Sequence, residues 1–255
     1  MRKINTVELS MPHRPEGDPV ASFCRNCLDE DALRRRSSIM DIIALEELFK
    51  ARRSIRKWED TPVPEALITQ AIEMAGWSPN SGGKQTYHCY VINNRAKIDE
   101  IYQAVQEVTD YLATLCKSDA DRASVERWQK NAGFFVNAPV LIAVSASIYQ
   151  SIADKLQADN MDEARVCDIN RCRQIASSRV QTVGSFVSHL LLAFHVLGLG
   201  AVWMVGPTQA KTAVEKIIGI AEYEDFMALI PVGYPNENPT APSRKPAEEL
   251  ITFLR

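Results

Sequence analysis

RRSIRKWEDTPVPEALITQAIEMAGWSPNSGGKQTY, Arg52 to Tyr87, is the stretch on which the reading of this chain turns. It begins with Arg52, Arg53, Arg56 and Lys57 crowded around Ser54. A guanidinium is a planar fork of donors that matches two phosphate oxygens at once, and a serine hydroxyl adds another donor. Taken alone, such a cluster is either a phosphate cradle or a solvated basic stretch following a helix. The residues after it narrow the choice. Pro62 and Pro64 stand before EALITQAIEMA, where Leu67, Ile68, Ala71, Ile72 and Ala75 recur at helical spacing. Proline suits a helix entrance because the N–H it lacks would be unpaired there anyway. Trp77 to Lys84, with Pro79, Asn80, Gly82 and Gly83, reads as a turn-rich loop. YHCYVI, Tyr87 to Ile92, then reads as a strand, being aromatic and β-branched and closed by Asn93-Asn94.

Upstream, residues 1–39 read as an extension. Pro12, Pro15 and Pro19 break any helix, Arg34 to Arg36 form a short basic run, and Cys24 and Cys27 make a Cys-x-x-Cys. Residues 40–255 read as one domain, opening with an amphipathic helix from Asp41 that offers Ile42, Leu45, Leu48 and Phe49 to one side. Downstream, helices are predicted over Ala96–Cys116 and Arg122–Phe135, and a central strand over Ala138–Ser147, an unbroken apolar run. Ser151 to Cys172 reads as polar and irregular, followed by a long helix to Leu197. A short helix over Thr208–Ile218, a strand over Phe226–Pro235 and a last short strand at LITF complete the prediction, the tail being extended. Pro231 points to an edge position for part of its strand. Strands do not alternate regularly with helices, which favours an α+β fold over a doubly wound one.

The chain has 255 residues, 46% hydrophobic and 24% charged, with a net charge of −3 and a pI near 5.9. That balance implies no general nucleic-acid binding. The first residues lack an apolar export core, so a cytoplasmic, reducing compartment is expected and disulfides are not. SFVSHLLLAFHVLGLGAVWMVG, Ser185 to Gly206, is long enough to suggest a membrane span, but serines, histidines and Gly198 and Gly200 interrupt it. It reads instead as a buried helix and a buried strand or loop.

Several motifs are absent. GLGAVW from Gly198 lacks the third glycine of a dinucleotide fingerprint and ends a helix instead of opening one. There is no phosphate-binding G-x-x-x-x-G-K-[ST], no H-E-x-x-H and no G-x-S-x-G. His13, His88, His189 and His195 are scattered and read as core or surface residues.

Segment order carries the rest: R-R-S-I-R-K-W, P-V-P and an apolar helix, S-P-N-S-G-G-K-Q-T-Y before a strand, A-P-V-L-I-A-V, H-V-L-G-L-G-A-V-W, and V-G-Y-P followed by S-R-K. From Leu45 to Phe253 this resembles the FMN-dependent nitroreductase family of flavin oxidoreductases. The resemblance implies a central, mostly antiparallel sheet flanked by helices, an extended C-terminal tail and a homodimer with FMN at its interface. It places Arg52, Ser54, Arg53 and the tail's Arg244 on the FMN phosphate. It places Arg56 near flavin N1 and the C2 carbonyl, where a fixed cation favours the reduced flavin. Pro79, Asn80 and Ser81 would pack on the isoalloxazine, Gln85 would lie near the ribityl chain, and Gly206 would donate a backbone N–H. The chain departs from the family pattern at Gly83, at Thr86-Tyr87 and in lacking an acidic residue just before Gly206.

The implied activity is hydride transfer from NAD(P)H through flavin N5 to a nitroaromatic, a quinone or a similar small acceptor. Such chemistry needs binding and electrostatics rather than a catalytic triad. Dehalogenation and flavin fragmentation are alternative chemistries on the same scaffold, and a flavin- or metal-binding redox sensor is an alternative of another class. For the latter, Cys24, Cys27, Cys167 and Cys172 could supply four thiolates, but their spacing fits no zinc ribbon or ferredoxin, and no metal is expected.

Overall fold

A computed structural model describes residues 42–254. Two compact units divide at Leu45 and Glu46. Of the first unit, only residues 42–45 are described, the opening turn of helix α1 (Ile42–Ala51). Cys24 and Cys27 therefore lie outside the described residues. None of α1 is buried in the single chain.

The second unit is built on a four-stranded sheet in the order β1-β2-β4-β3, every pairing antiparallel: β1 (Tyr87–Ile92), β2 (Val140–Ser147), β3 (Gly200–Ala201) and β4 (Glu224–Gly233). β2 is buried along nearly its whole length, as its continuous apolar run predicts. Its side chains alternate between two cores. Val140, Ile142, Val144 and Ala146 face one side, where Ile68, Ala71 and Ala75 of α2 (Glu65–Ala75) meet Phe186, Leu190 and Phe194 of α7 (Ser178–Val196). Leu141 and Ala143 face the other, against Ile98, Ile101 and Val105 of α3 (Arg95–Thr114) and Val214 of α8 (Lys211–Ile218). Each large side chain buried this way stabilises the fold by about 1.5–3 kcal/mol. The expected α+β architecture of a sheet between helical layers is what the chain forms.

Helix α4 (Asp119–Ala132) starts on a Ser118 cap and gives way to a short 3-10 turn at Phe134–Asn137. Three expectations are corrected. Ser151–Cys172 is not irregular: it folds into α5 (Ile152–Ala158) and most of α6 (Ala164–Ala176). Ser151 and Asp154 cap α5 reciprocally, and α6 buries nothing, so neither helix has an apolar stripe for periodicity to reveal. The long helix is interrupted at Ser177, whose φ of 31° ends α6 and starts α7. The LITF segment forms no strand.

Pro231 illustrates how a warning can be half right. Its strand, β4, is interior, but Leu229 exchanges both backbone hydrogen bonds with Met204, on the β3 side. Residue 231 points the same way two residues on, so its missing N–H faces the short β3 edge and not β2. Helix α7 is likewise buried on one face only: Val180, Ser188, His189 and Val196 are exposed on the other. Among the described residues no helix is long and apolar enough to cross a membrane.

Candidate functional site

The RRSIRKW segment runs along the sheet edge. Ser54 bridges Ala201 of β3 in parallel, and the Ile55 N–H donates to the Ala201 carbonyl at 3.2 Å. The Trp58 indole donates to the Gly200 carbonyl at 2.8 Å. On the far side the start of the C-terminal tail holds the segment: the Glu237 carboxylate accepts from the Arg56 N–H at 2.6 Å and the Lys57 N–H at 3.2 Å. Contact with β3 is close enough to demand a glycine. A Cβ on Gly200 would stand 2.7 Å from the Ile55 side chain.

Arg52 is half-buried, and its Nη1 is buried with no acceptor among the described residues. Burial, then the neighbouring guanidiniums of Arg53 and Arg244, pull its pKa below the ordinary arginine value. The tail thus returns Arg244 to the first arginines of the segment, where three cations gather with no carboxylate compensating Arg52 among the described residues. An orphaned N–H in such a place is a strong anion-binding element. Arg53 also closes α1: its Nη1 donates to the carbonyls of Lys50 and of Arg52. Sequence reasoning missed His195. It stands in the last turn of α7, half-buried, and burial followed by the charges of Arg52 and Arg53 pulls its imidazole below the ordinary value.

Arg56 and Gly206 share a second feature, a cavity of about 520 Å³ walled by Trp128, Phe134, Trp203 and Met204. The Arg56 guanidinium sits 5.9 Å from the Phe134 ring centroid. A Cβ on Gly206 would meet nothing within 4 Å, so the backbone there is open to an incoming group. An aromatic, cation-bearing cavity, with no lining carboxylate among the described residues, suits a planar ring that takes on negative charge. A larger cavity of about 810 Å³ lies elsewhere, near Trp58, Pro62 and Pro139. Its lining carries Glu59, Asp60 and Asp99, and Arg95 there is already paired with Asp99, so it disfavours anions.

Pro79, Asn80, Ser81 and Gln85 form a third group. The Asn80 side chain donates to the Ser78 carbonyl and accepts the Gln85 N–H, and Gln85 adopts a φ of 46°. The Gln85 amide nitrogen donates to the Gly76 carbonyl and the Tyr87 hydroxyl, each at 3.1 Å, so this side chain shapes the loop. The Ser81 N–H donates to Thr182 Oγ1 at 3.1 Å, tying the loop to the first turns of α7. His195, by the arginines, is thirteen residues further along that helix. At 1.5 Å per residue the two groups stand about 20 Å apart along the axis. One chain therefore gathers the predicted residues into separate clusters.

Cys167 and Cys172 lie exposed on α6, and the Cys167 thiol donates to the Met161 carbonyl at 3.1 Å. Burial pushes the Cys89 thiol up to about 12, as befits a packing residue.

Comparison with known proteins places these clusters in context. The model of the nitroreductase family matches residues 49–234. A provisionally named NADH dehydrogenase/NAD(P)H nitroreductase of Methanothermobacter thermautotrophicus is 30% identical over 204 residues, 79% of this chain and 81% of that protein. Among solved structures, a BluB-like flavoprotein from Clostridium difficile 630 superposes with a TM-score of 0.74 at 25% identity, over 85% of this chain and all of that one. Iodotyrosine deiodinase bound to FMN and 3-iodo-L-tyrosine superposes with a TM-score of 0.60 at 17% identity, over 83% and 97% of the two chains. Residues 49–234 hold the RRSIRKW segment, the Pro79–Ser81 loop, the four strands and the Arg56–Gly206 cavity, and the chain is an enzyme of the nitroreductase family of oxidoreductases.

Proposed function

We propose that this chain is an FMN-dependent oxidoreductase that moves hydride from NAD(P)H to a small acceptor such as a nitroaromatic or a quinone. The observation that carries the reading is the buried, unpartnered Nη1 of Arg52 between Arg53 and Arg244. Such a cation cluster fits a phosphate dianion, and an aromatic cavity with its own arginine fits a flavin ring. When bound, FMN would supply the two-electron hydride chemistry between NAD(P)H and the second substrate.

The residues hold, orient and polarise. Arg52, Arg53, Ser54 and Arg244 bind the phosphate. Arg56 presents a fixed positive charge to the flavin edge that becomes more negative on reduction, and so stabilises the reduced state more than the oxidised one. Gly206 leaves room for a ring against its backbone. Pro79, Asn80 and Ser81 contribute from a loop already fixed by Thr182 and Gln85, so little ordering accompanies binding.

That loop and the arginine cluster are further apart on α7 than an extended ribityl arm reaches. This supports a homodimer in which the loop of one subunit completes the site of its partner. Phe49, Leu250, Phe253 and Leu254, all exposed in the single chain, supply apolar surface for it. Dehalogenation stands as a second reading, favoured by the likeness to the iodotyrosine-bound deiodinase.

The purified protein is expected to be yellow, to release FMN on heating and to bleach rapidly on adding NADH or NADPH. FAD in the supernatant, or no flavin after reconstitution, refutes the proposal. Light scattering that finds a stable flavin-loaded monomer at micromolar concentration refutes the dimer.

A further inference from the structure

His195 enters the site through the path of the chain. After α7 the backbone turns at Gly198, with φ 77°, and runs into β3, which lies against Ser54 and Ile55. The last turn of α7 is thereby carried to the RRSIR segment. His189, one face away, has its Nδ1 2.9 Å from the Ser185 carbonyl. The His195 carbonyl accepts from the Gly198 N–H at 3.2 Å, but its ring makes no hydrogen bond among the described residues, so the ring nitrogens are uncommitted. Two influences on its charge oppose each other. The terminal carbonyls of α7 favour an imidazolium. Burial and the guanidiniums of Arg52 and Arg53 oppose it and prevail. Arg244 in turn faces Arg52. A phosphate dianion among these groups would reverse the sign of that field.

We infer that His195 is a fourth side chain of the phosphate site and takes up a proton when the phosphate binds. The inference rests on reading this cluster as the FMN phosphate site. Its sign follows from linkage: a group that binds a proton only in the complex makes the complex tighter as pH falls through the imidazole range. Protonation of the FMN phosphate itself, with a second pKa of about 6, works the other way at lower pH. The effect is therefore read between about pH 6.5 and about pH 8.5.

The test is calorimetric titration of FMN into apoprotein in buffers of different ionisation enthalpy, for the wild type and for His195→Gln. The wild type should take up a larger fraction of a proton than the variant. Its dissociation constant should weaken about fivefold across that pH interval, the scale of one ordinary hydrogen-bond contribution, while the variant stays flat. Riboflavin, which has no phosphate, should bring no His195-dependent proton uptake. Equal proton counts and equal pH profiles in the two proteins overturn the inference while leaving the FMN site intact. Should the variant not fold, histidine ring resonances of the wild type decide: one imidazole must titrate at higher pH with FMN than with riboflavin, and identical titrations overturn it. Wild-type protein that binds no FMN overturns both the inference and the reading of the site.

Discussion

Replacing Arg52 by methionine tests the phosphate site in the free and in the loaded protein, with opposite expected signs. In the free protein Arg52 is a liability. It is half-buried, its Nη1 has no acceptor, and Arg53 and Arg244 repel it. Its pKa is lowered on folding, so the charged form is the disfavoured one, and at neutral pH, far below the arginine range, the penalty is fully present. Arg52→Met should therefore leave the apoprotein's melting temperature unchanged or raise it. In the complex the same nitrogen meets a phosphate oxygen. A hydrogen bond to a charged group contributes about 1.5–3 kcal/mol, so FMN affinity should fall by about 10- to 150-fold. Riboflavin should bind the variant nearly as well as the wild type. The assay is flavin fluorescence quenching with each ligand, paired with thermal unfolding of apo and loaded protein. Equal losses for FMN and riboflavin, or an apoprotein that melts well below wild type, would show that Arg52 supports the fold and would refute the reasoning.

Arg56→Ala should lower the two-electron reduction potential of the bound flavin by tens of millivolts, about 30 mV per 1.4 kcal/mol, more than it weakens oxidised FMN; an unchanged potential in a spectroelectrochemical titration removes Arg56 from the ring site. Gly200→Ala should destabilise the fold by about 1–3 kcal/mol, since its Cβ would press on Ile55, and should weaken FMN by shifting Ser54; denaturant unfolding that matches wild type counts against the close approach. The Ser151 hydroxyl and N–H, then the Arg173 guanidinium, hold the Asp154 carboxyl at about 2. Its stabilising effect is fully present above the usual carboxylate pKa and is lost as pH falls through about 2. Asp154→Asn should cost about 1 kcal/mol at neutral pH, the worth of a helix cap, with the deficit shrinking as pH falls from the carboxylate range through about 2; a deficit independent of pH contradicts that account.

The elements legible from sequence are those whose signals are local. β2 declares itself by an unbroken apolar run because it is buried on both faces, and α2 by apolar residues at helical spacing behind a proline. The cations of RRSIR and SRK are legible for the same reason: residue type and order suffice to say that an anion could be held there. Helices α5 and α6 are not legible, because one rests on a capping box and the other buries no side chain. Nor is the direction of the Gln85 amide legible: its nitrogen is turned to Gly76 and Tyr87, a choice made by hydrogen bonds within the loop.

The sequence by itself determined which segments bury apolar surface, and in what order, and hence the α+β sheet and its helical layers. It determined also the charges available to a phosphate. Only the tertiary structure decided which of those charges meet. Arg244 reaches Arg52 across nearly two hundred residues, and His195 reaches it because one glycine turn folds α7 back onto β3. The structure likewise decided that the Pro79–Ser81 loop stands at the opposite end of α7 from the arginines. Spacing along the chain cannot report such distances, since they are set by how far a rigid helix carries its two ends apart.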